Sequence, residues 1–424
     1  MLFFIYSALF IIALPFILLT FLYKSRKEIG YRQRWHERFA LTKPLQKQSV
    51  VIHAASVGEV LLVAPLVKQL LAQFPNVPIT ITTFTPGGSE RVQALFGNLV
   101  QHCYLPFDLP FLMKLFLQQL QPQCFIIVET ELWFNLLQQI KTRHIPLFLI
   151  NARLSDKSAK HYAYLRHSLM PIWQSFTHIA AQDELSAERY QRLGVDKNKI
   201  SCSGNLKFDL TVSDEEIADD RQQKMAMLQQ RPVWIAASTH EGEETMMLQA
   251  HQQLLQQYPN LLLILVPRHS ARFAEVEKLL RQQQFCYQKR SIGAPIDPQT
   301  TVLLGDTMGE LLKLYALADI AVVGGSFIAR GGHNPLEPLL FKLPVITGQY
   351  LFNFRQIYQN LREVGGVMVI ENSVSALVEQ ISELLAEPQK AEQYGQNGYR
   401  ILQQNRGALQ RTLTILLPYL SEKK

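Results

Sequence analysis

Two apolar runs in the first half of the chain stop on glutamates. Val50 to Glu59 reads VVIHAASVGE, and Phe125 to Asn135 reads FIIVETELWFN. Each is a strand-like run that gives way to polar residues, so Glu59, Glu129 and Glu131 fall where α/β sheets bind ligands, beyond the carboxyl ends of strands. A carboxylate there suits a general base that takes a proton from an attacking hydroxyl. In the first turn of its helix, Glu59 would stay ionised in the helix field, while partial burial would raise its pKa to a useful value. The plainer alternative is that it only caps its own helix. If the strand continues, Glu129 and Glu131 at spacing two share one face. They could orient an acceptor, assist Glu59, or hold a basic loop such as that of Arg153; structural support is the alternative, and spacing does not separate the two glutamates.

The second half carries anion-binding chemistry. Val322 to Gly348 reads VVGGSFIARGGHNPLEPLLFKLPVITG, a strand ending on Gly324 and Gly325, then a second glycine pair leading into a helix near Asn334 or Pro335. Asn334 can cap that helix, and its exposed amides and field favour a phosphate. Glu337, in the first turn, could accept two hydrogen bonds from a ribose diol, or simply cap free amides. Asp306 to Leu311, DTMGEL, repeats the device with a helix opening near Met308. The amides of Met308, Gly309 and Glu310 could take a phosphate or a base carbonyl, unless Asp306, Thr307 and Glu310 merely cap. Arg268, in Pro267-Arg268-His269, could pair with a phosphate or a sugar-acid carboxylate. Ser238, Thr239 and His240 end another strand. Lys207, in GNLKFD, could neutralise a carboxylate or a phosphate, or with Asn205 stabilise a linker. Neither a G-x-x-x-x-G-K-[ST] segment nor a D-x-D occurs, which points to a nucleoside monophosphate leaving group without metal.

These residues need elements to hold them. Strand-like runs at 50–54, 78–84, 125–128, 146–150 and 178–181 alternate with helix-length segments, the mark of parallel βαβ units. The rhythm restarts at 233–237, 261–266, 320–323 and 345–347, after a helix candidate at Ser213 to Gln230. With a boundary near residues 204 to 212, two doubly wound domains are expected. Leu2 to Tyr23 is 22 residues without a charge, long enough at about 1.5 Å per residue to cross a hydrocarbon core of roughly 30 Å. Lys24, Arg26, Lys27, Arg32, Arg34 and Arg38 follow; such a basic collar stays cytoplasmic and attracts anionic headgroups. The net charge of +7 agrees. No basic run interleaved with aromatics points to nucleic acid. Cys103, Cys124, Cys202 and Cys286 are scattered singles, suited to a reducing compartment rather than to a disulfide scaffold or a zinc cluster.

Taken together, ASVGE, ETELWFN, GNLKFD, PRH, DTMGEL and GGHNPLEP, in this order, closely resemble the 3-deoxy-D-manno-octulosonic acid (Kdo) transferase family of Gram-negative bacteria. The resemblance runs from the N-terminal segment through the last domain. It implies an α/β fold of GT-B type, two Rossmann-like doubly wound domains facing a cleft, plus one N-terminal membrane helix. The expected division is 1–23 anchor, 24–208 acceptor domain and 209–424 CMP-sugar domain. The implied reaction is metal-independent, inverting transfer of Kdo from CMP-Kdo to a lipid A precursor (lipid IVA) at the inner membrane, with the catalytic domains cytoplasmic. Glu59 is then the base, with Glu129 and Glu131 on the acceptor side. Lys207, Arg268, His269, Met308, Gly309, Glu310, Asn334 and Glu337 form the donor side. No cofactor, nucleic acid or obligate protein partner is implied. A UDP-hexose transferase acting on a membrane lipid and a non-catalytic nucleotide-sugar-binding membrane protein are the alternatives.

Overall fold

The structure, a computed structural model, describes residues 2–26, 28–209, 228 and 231–420. Lys27 of the basic collar and nearly all of the helix candidate at 213–230 lie outside the described residues. The chain forms two compact units, Met1–Asp209 with Arg406–Lys424, and Leu210–Asn405.

In the first unit, β1 (Val50–His53), β2 (Ile79–Thr83), β3 (Gln101–Tyr104), β4 (Cys124–Val128), β5 (Leu147–Ala152), β6 (His178–Ala181) and β7 (Ile200–Cys202) form one sheet in the order β3-β2-β1-β4-β5-β6-β7. Every pairing is parallel. The strands β1, β2, β4 and β5, buried at every position, suit a sheet covered on both faces. Alternate residues supply the two cores: Val51, Phe125, Ile127, Leu147 and Leu149 on one side, Val50, Ile52, Ile126, Val128 and Phe148 on the other. The order reverses between β1 and β4, and that topological switch point is where such sheets open to ligands.

The second unit repeats the plan with β8 (Val233–Thr239), β9 (Leu262–Pro267), β10 (Tyr287–Lys289), β11 (Val302–Leu304), β12 (Ile320–Val323), β13 (Val345–Thr347) and β14 (Met368–Val369), in the order β10-β11-β9-β8-β12-β13-β14. These strands are also parallel throughout. The switch point falls between β8 and β12. The expected α/β plan of two Rossmann-like units with an apolar N-terminal helix, Leu2–Lys24, is what the chain adopts.

One boundary is corrected. The reading that gave 209–424 to the second domain misplaces the last helix, Ala408–Leu416, which packs on the helix Val57–Gln73 of the first unit. Its Ala408, Leu413 and Leu416 join the core beneath β1 and β4. Asp209 fastens its start by accepting from the Gly407 amide at 2.6 Å and from the Leu409 amide. An amphipathic pattern specifies a buried face but not the body it faces, so the sequence could not distinguish the two.

Candidate active site

The carboxyl ends of β1 and β4 meet at the first switch point. Ser56 stands at the N-cap position of the helix Val57–Gln73, and Glu59 sits in the first turn. Glu59 accepts from the Ala55 amide and, at 3.4 Å, from the Ser56 hydroxyl, so the capping role exists in part. Capping does not keep the group an ordinary acid. Burial pushes its carboxyl up to about 7, with the charges of Glu131 and Glu129 adding to the rise, against the Ala55 and Ser56 bonds. Glu131 is raised by burial and by Glu129. Three carboxylates thus converge on one site, and the neighbouring like charges disfavour ionisation of Glu59 and Glu131.

The loop after β4 departs from the expected geometry. The strand stops at Val128, and Glu129 turns left-handed at φ 58°. The two glutamates therefore do not share a strand face; they approach Glu59 from a turn, while Thr130 donates to the Arg153 carbonyl. A non-glycine residue at positive φ costs free energy that surrounding contacts must offset, and such residues cluster at functional sites. Lys207 lies in this unit, its Nζ 3.8 Å from Glu129. Of the two partners the sequence left open, a carboxylate or a phosphate, the carboxylate of Glu129 is the one beside it. The helix start Thr85–Ser89 after β2 went unnoticed in the sequence. Thr85 caps the helix Pro86–Phe96, and a Cβ on Gly88 would lie 3.4 Å from the Ser56 backbone, so this helix start walls the Glu59 turn. Its TPGGS composition was the available signal.

At the second switch point, Ser238 near the end of β8 is also left-handed, at φ 56°, and Gly324 follows β12. A Cβ on Gly324 would stand 2.7 Å from the Ser238 carbonyl oxygen. Only glycine allows the two strand ends this close. The Gly324-Gly325 loop is held by Glu243, a buried carboxylate accepting from the amides of Gly325 at 2.8 Å, Phe327 at 3.1 Å and His240 at 3.0 Å. The sequence did not single out Glu243. His333, inside GGHNPLEP, meets His240 with Nε2···Nε2 at 2.8 Å, and the His269 ring lies 5.5 Å from that of His240. Burial, then the positive neighbours Arg268, Arg330 and Arg272 among others, hold His240 down at about 4; burial and Arg268 hold His333 at about 3. Both rings are neutral near pH 7, one donating and the other accepting.

Glu337 is raised by burial, with Asn334 and Arg268 acting in the opposite direction. Asn334 accepts from the Leu336 amide at 3.1 Å and donates to Glu337 at 3.4 Å. The helix it opens is one turn, Leu336–Leu339, so the expected macrodipole is too short to contribute much, and local amides and Arg268 supply the positive field instead. Around DTMGEL the helix starts at Leu311 rather than Met308. Asp306 accepts from Ser291 N and Oγ at 2.8 and 2.6 Å, and Glu310 accepts from Thr307 at 2.6 Å. These carboxylates are engaged by Ser291 and Thr307 rather than in capping the helix, which has no side-chain cap, whereas Met308 is exposed and Gly309, at φ 87°, faces open space. Arg268, straight after β9, is near enough to act electrostatically on Glu337, His240 and His333, and His269 follows it. Among the described residues, no group of three or more His, Cys, Asp or Glu side chains could hold a metal ion.

Comparison with known proteins adds family information. Residues 33–210 match the family model described as 3-Deoxy-D-manno-octulosonic-acid transferase (kdotransferase), and residues 226–401 that described as Glycosyl transferases group 1. The chain is 47% identical to the 3-deoxy-D-manno-octulosonic acid transferase of Haemophilus influenzae over 98% of both chains. It is 33% identical to that of Bordetella pertussis over 88% of this chain and 87% of that one. In fold it is similar to the UDP-GlcNAc 2-epimerase of Neisseria meningitidis, with a TM-score of 0.58 and 14% identity over 87% of this chain and 100% of that one.

Proposed function

The chain belongs to the 3-deoxy-D-manno-octulosonic acid transferase family, and on that premise we propose how its residues transfer Kdo from CMP-Kdo to a lipid A precursor. The acceptor is lipid IVA, the transfer inverts the anomeric carbon, and Glu59 is the general base. One observation carries the assignment: at the first switch point, burial and two neighbouring carboxylates lift Glu59 to about 7, where it is both substantially ionised and basic enough to accept a proton.

The acceptor hydroxyl gives its proton to Glu59 as its oxygen bonds to the anomeric carbon. On the opposite face the bond from that carbon to the phosphate oxygen breaks, and CMP leaves with the electron pair. Glu131 and Glu129 keep the base weakly acidic and hold acceptor hydroxyls; Lys207 balances the charge of Glu129. On the donor side, Arg268 and the amides at Met308, Gly309 and Glu310 take the phosphate or the base, Glu337 holds the ribose diol with Asn334 fixing its carboxylate, and His269 packs beside Arg268. These groups are fixed before charge develops on the departing phosphate, where preorganised donors contribute most. The apolar N-terminal helix and its basic flank support an inner-membrane site facing the cytoplasm, where an acylated acceptor is reached without leaving the bilayer.

Purified protein with CMP-Kdo and lipid IVA, followed by CMP release and product mass, tests this directly. Turnover persists in excess chelator, and the product mass counts the Kdo units added. UDP displacing CMP would favour a UDP-hexose transferase, and donor binding without CMP release would mean a non-catalytic receptor.

A further inference from the structure

The N-terminal helix passes every test of length and apolarity for crossing a membrane, yet the structure does not leave it free to do so. Phe21 is buried and Phe3, Tyr6, Ser7, Phe10, Ala13, Leu14, Ile17 and Leu18 are half-buried, while the residues between them are exposed. That three-four spacing is one continuous stripe laid against the first unit. From Phe3 to Phe21 it runs about 27 Å, nearly the roughly 30 Å of a hydrocarbon core.

Polar pins hold both ends. Near the start, Tyr6 donates to Asp108 at 2.8 Å and Ser7 to Asn135 at 3.0 Å, with the Phe134 ring edge-on to Tyr6 at 5.1 Å. Asp108 is fully buried and also accepts from the amides of Asn135 and Leu136 at 3.0 and 2.9 Å, so it belongs to the folded body rather than to a flexible surface. At the far end, Phe21 is buried against Phe84 and Phe107 and lies 4.8 Å from the Arg38 guanidinium, itself fully buried and donating to the Phe84 carbonyl at 2.9 Å. Arg38 therefore locks the anchor and is no headgroup contact. Crossing the bilayer would require either dragging Asp108, Asn135 and their surroundings through hydrocarbon or breaking every one of these contacts.

The opposite face is continuous and, among the described residues, uncovered: Phe4, Ile5, Leu9, Ile11, Ile12, Phe16, Leu19 and Leu22 are exposed. Lys24, Arg26 and Arg32 are exposed where that face ends. An apolar row bordered by cations complements one leaflet with anionic headgroups. We propose that this helix does not span: it stays docked to the first unit and lies in the plane of a single leaflet, outer face among the acyl chains and Lys24, Arg26 and Arg32 among the headgroups. The end that carries Phe21 stacks through Phe84, at 6.0 Å, to Trp133, at 5.3 Å, two residues beyond Glu131. The carboxylate site therefore lies at the level of the lipid surface. This inference does not depend on the chemistry proposed above, since it is read by topology rather than turnover.

Two measurements on the full chain test it. First, a protease-sensitive tag is placed ahead of Met1, and right-side-out and inside-out native membrane vesicles are digested. The tag and the folded units should be cut from the same side; a tag cut only from the side opposite the units overturns the proposal. Second, with the exposed Cys202 and Cys286 replaced by serine, spin labels at Phe4→Cys, Ile12→Cys and Leu19→Cys report depth in phosphatidylethanolamine vesicles containing phosphatidylglycerol. One common depth of roughly 5–10 Å below the headgroups is expected. A profile deepest at residue 12 means a spanning helix, mutual broadening between labels means a second copy on this face, and full access to a water-soluble relaxant means no lipid contact; each refutes it.

Discussion

Replacing Glu59 by glutamine tests the base assignment on two independent scales. The displacement of its carboxyl from 4.5 to about 7 corresponds to roughly 3 kcal/mol between its two protonation states. With a pKa of about 7, about one molecule in eleven is ionised at pH 6 and about ten in eleven at pH 8, so kcat/KM should rise roughly tenfold across that interval. Glu59→Gln should lose at least about two decades of turnover, and this limb with it. Glu131→Gln removes the second-largest cause of the shift, so the limb moves to lower pH; burial, the largest, persists and keeps it above 4.5. Stability should respond in the opposite sense. A carboxyl raised in the fold contributes its full stabilisation below the unfolded pKa and loses it as pH rises through about 7. The permanently neutral Glu59→Gln should therefore be more stable than wild type at pH 8, by at most ~3 kcal/mol given partial exposure, and nearly equal to it at pH 4. Initial rates of CMP release across the pH range, paired with urea denaturation at both pH values, read the two scales. A limb near 4.5, or normal turnover in Glu59→Gln, refutes the reasoning.

Glu337→Gln should weaken CMP binding by roughly 10- to 100-fold, the scale of hydrogen bonds to a charged acceptor. By calorimetry it should also erase most of the preference for CMP over its 2′,3′-dideoxy analogue, which a merely structural role would leave intact. Glu243→Ala strands three amides and should cost at least ~2 kcal/mol in urea denaturation, with weaker CMP binding because the Gly324-Gly325 loop loses its brace. Asp209→Ala removes the cap on the last helix and should lower stability by about 1–2 kcal/mol while sparing CMP affinity.

What was legible in the sequence followed physical rules with a local signature. Central strands buried on both faces read as apolar runs, so β1, β4, β8, β9 and β12 were placed to within a few residues. The short strands β3, β7, β10 and β14 carry no such run, and were missed. Glu59 was readable because strand end, N-cap and first turn are contiguous in the chain. Glu129 was not, because its left-handed backbone depends on what surrounds the β4 loop. Glu243 shows a similar limit: it binds Gly325 and Phe327 across 82 and 84 residues, a distance at which composition is silent. The basic collar divided in the same way. Lys24, Arg26 and Arg32 remain at the surface, whereas Arg38 spends its charge on aromatic faces and Arg34 pairs with Glu37 at 2.8 Å.

The return of the last helix to the first unit makes the second unit an insertion. In chain order, residues 210–405 interrupt a body that begins before them and is finished only afterwards. A fragment ending at Asp209 would expose the apolar seat of Ala408, Leu413, Leu416 and Leu420. A separately supplied segment from Arg406 onward is thus the natural complement of such a fragment, the two associating in trans. During synthesis the first unit stays unfinished until the second has been made, so the half that carries the N-terminal helix matures last.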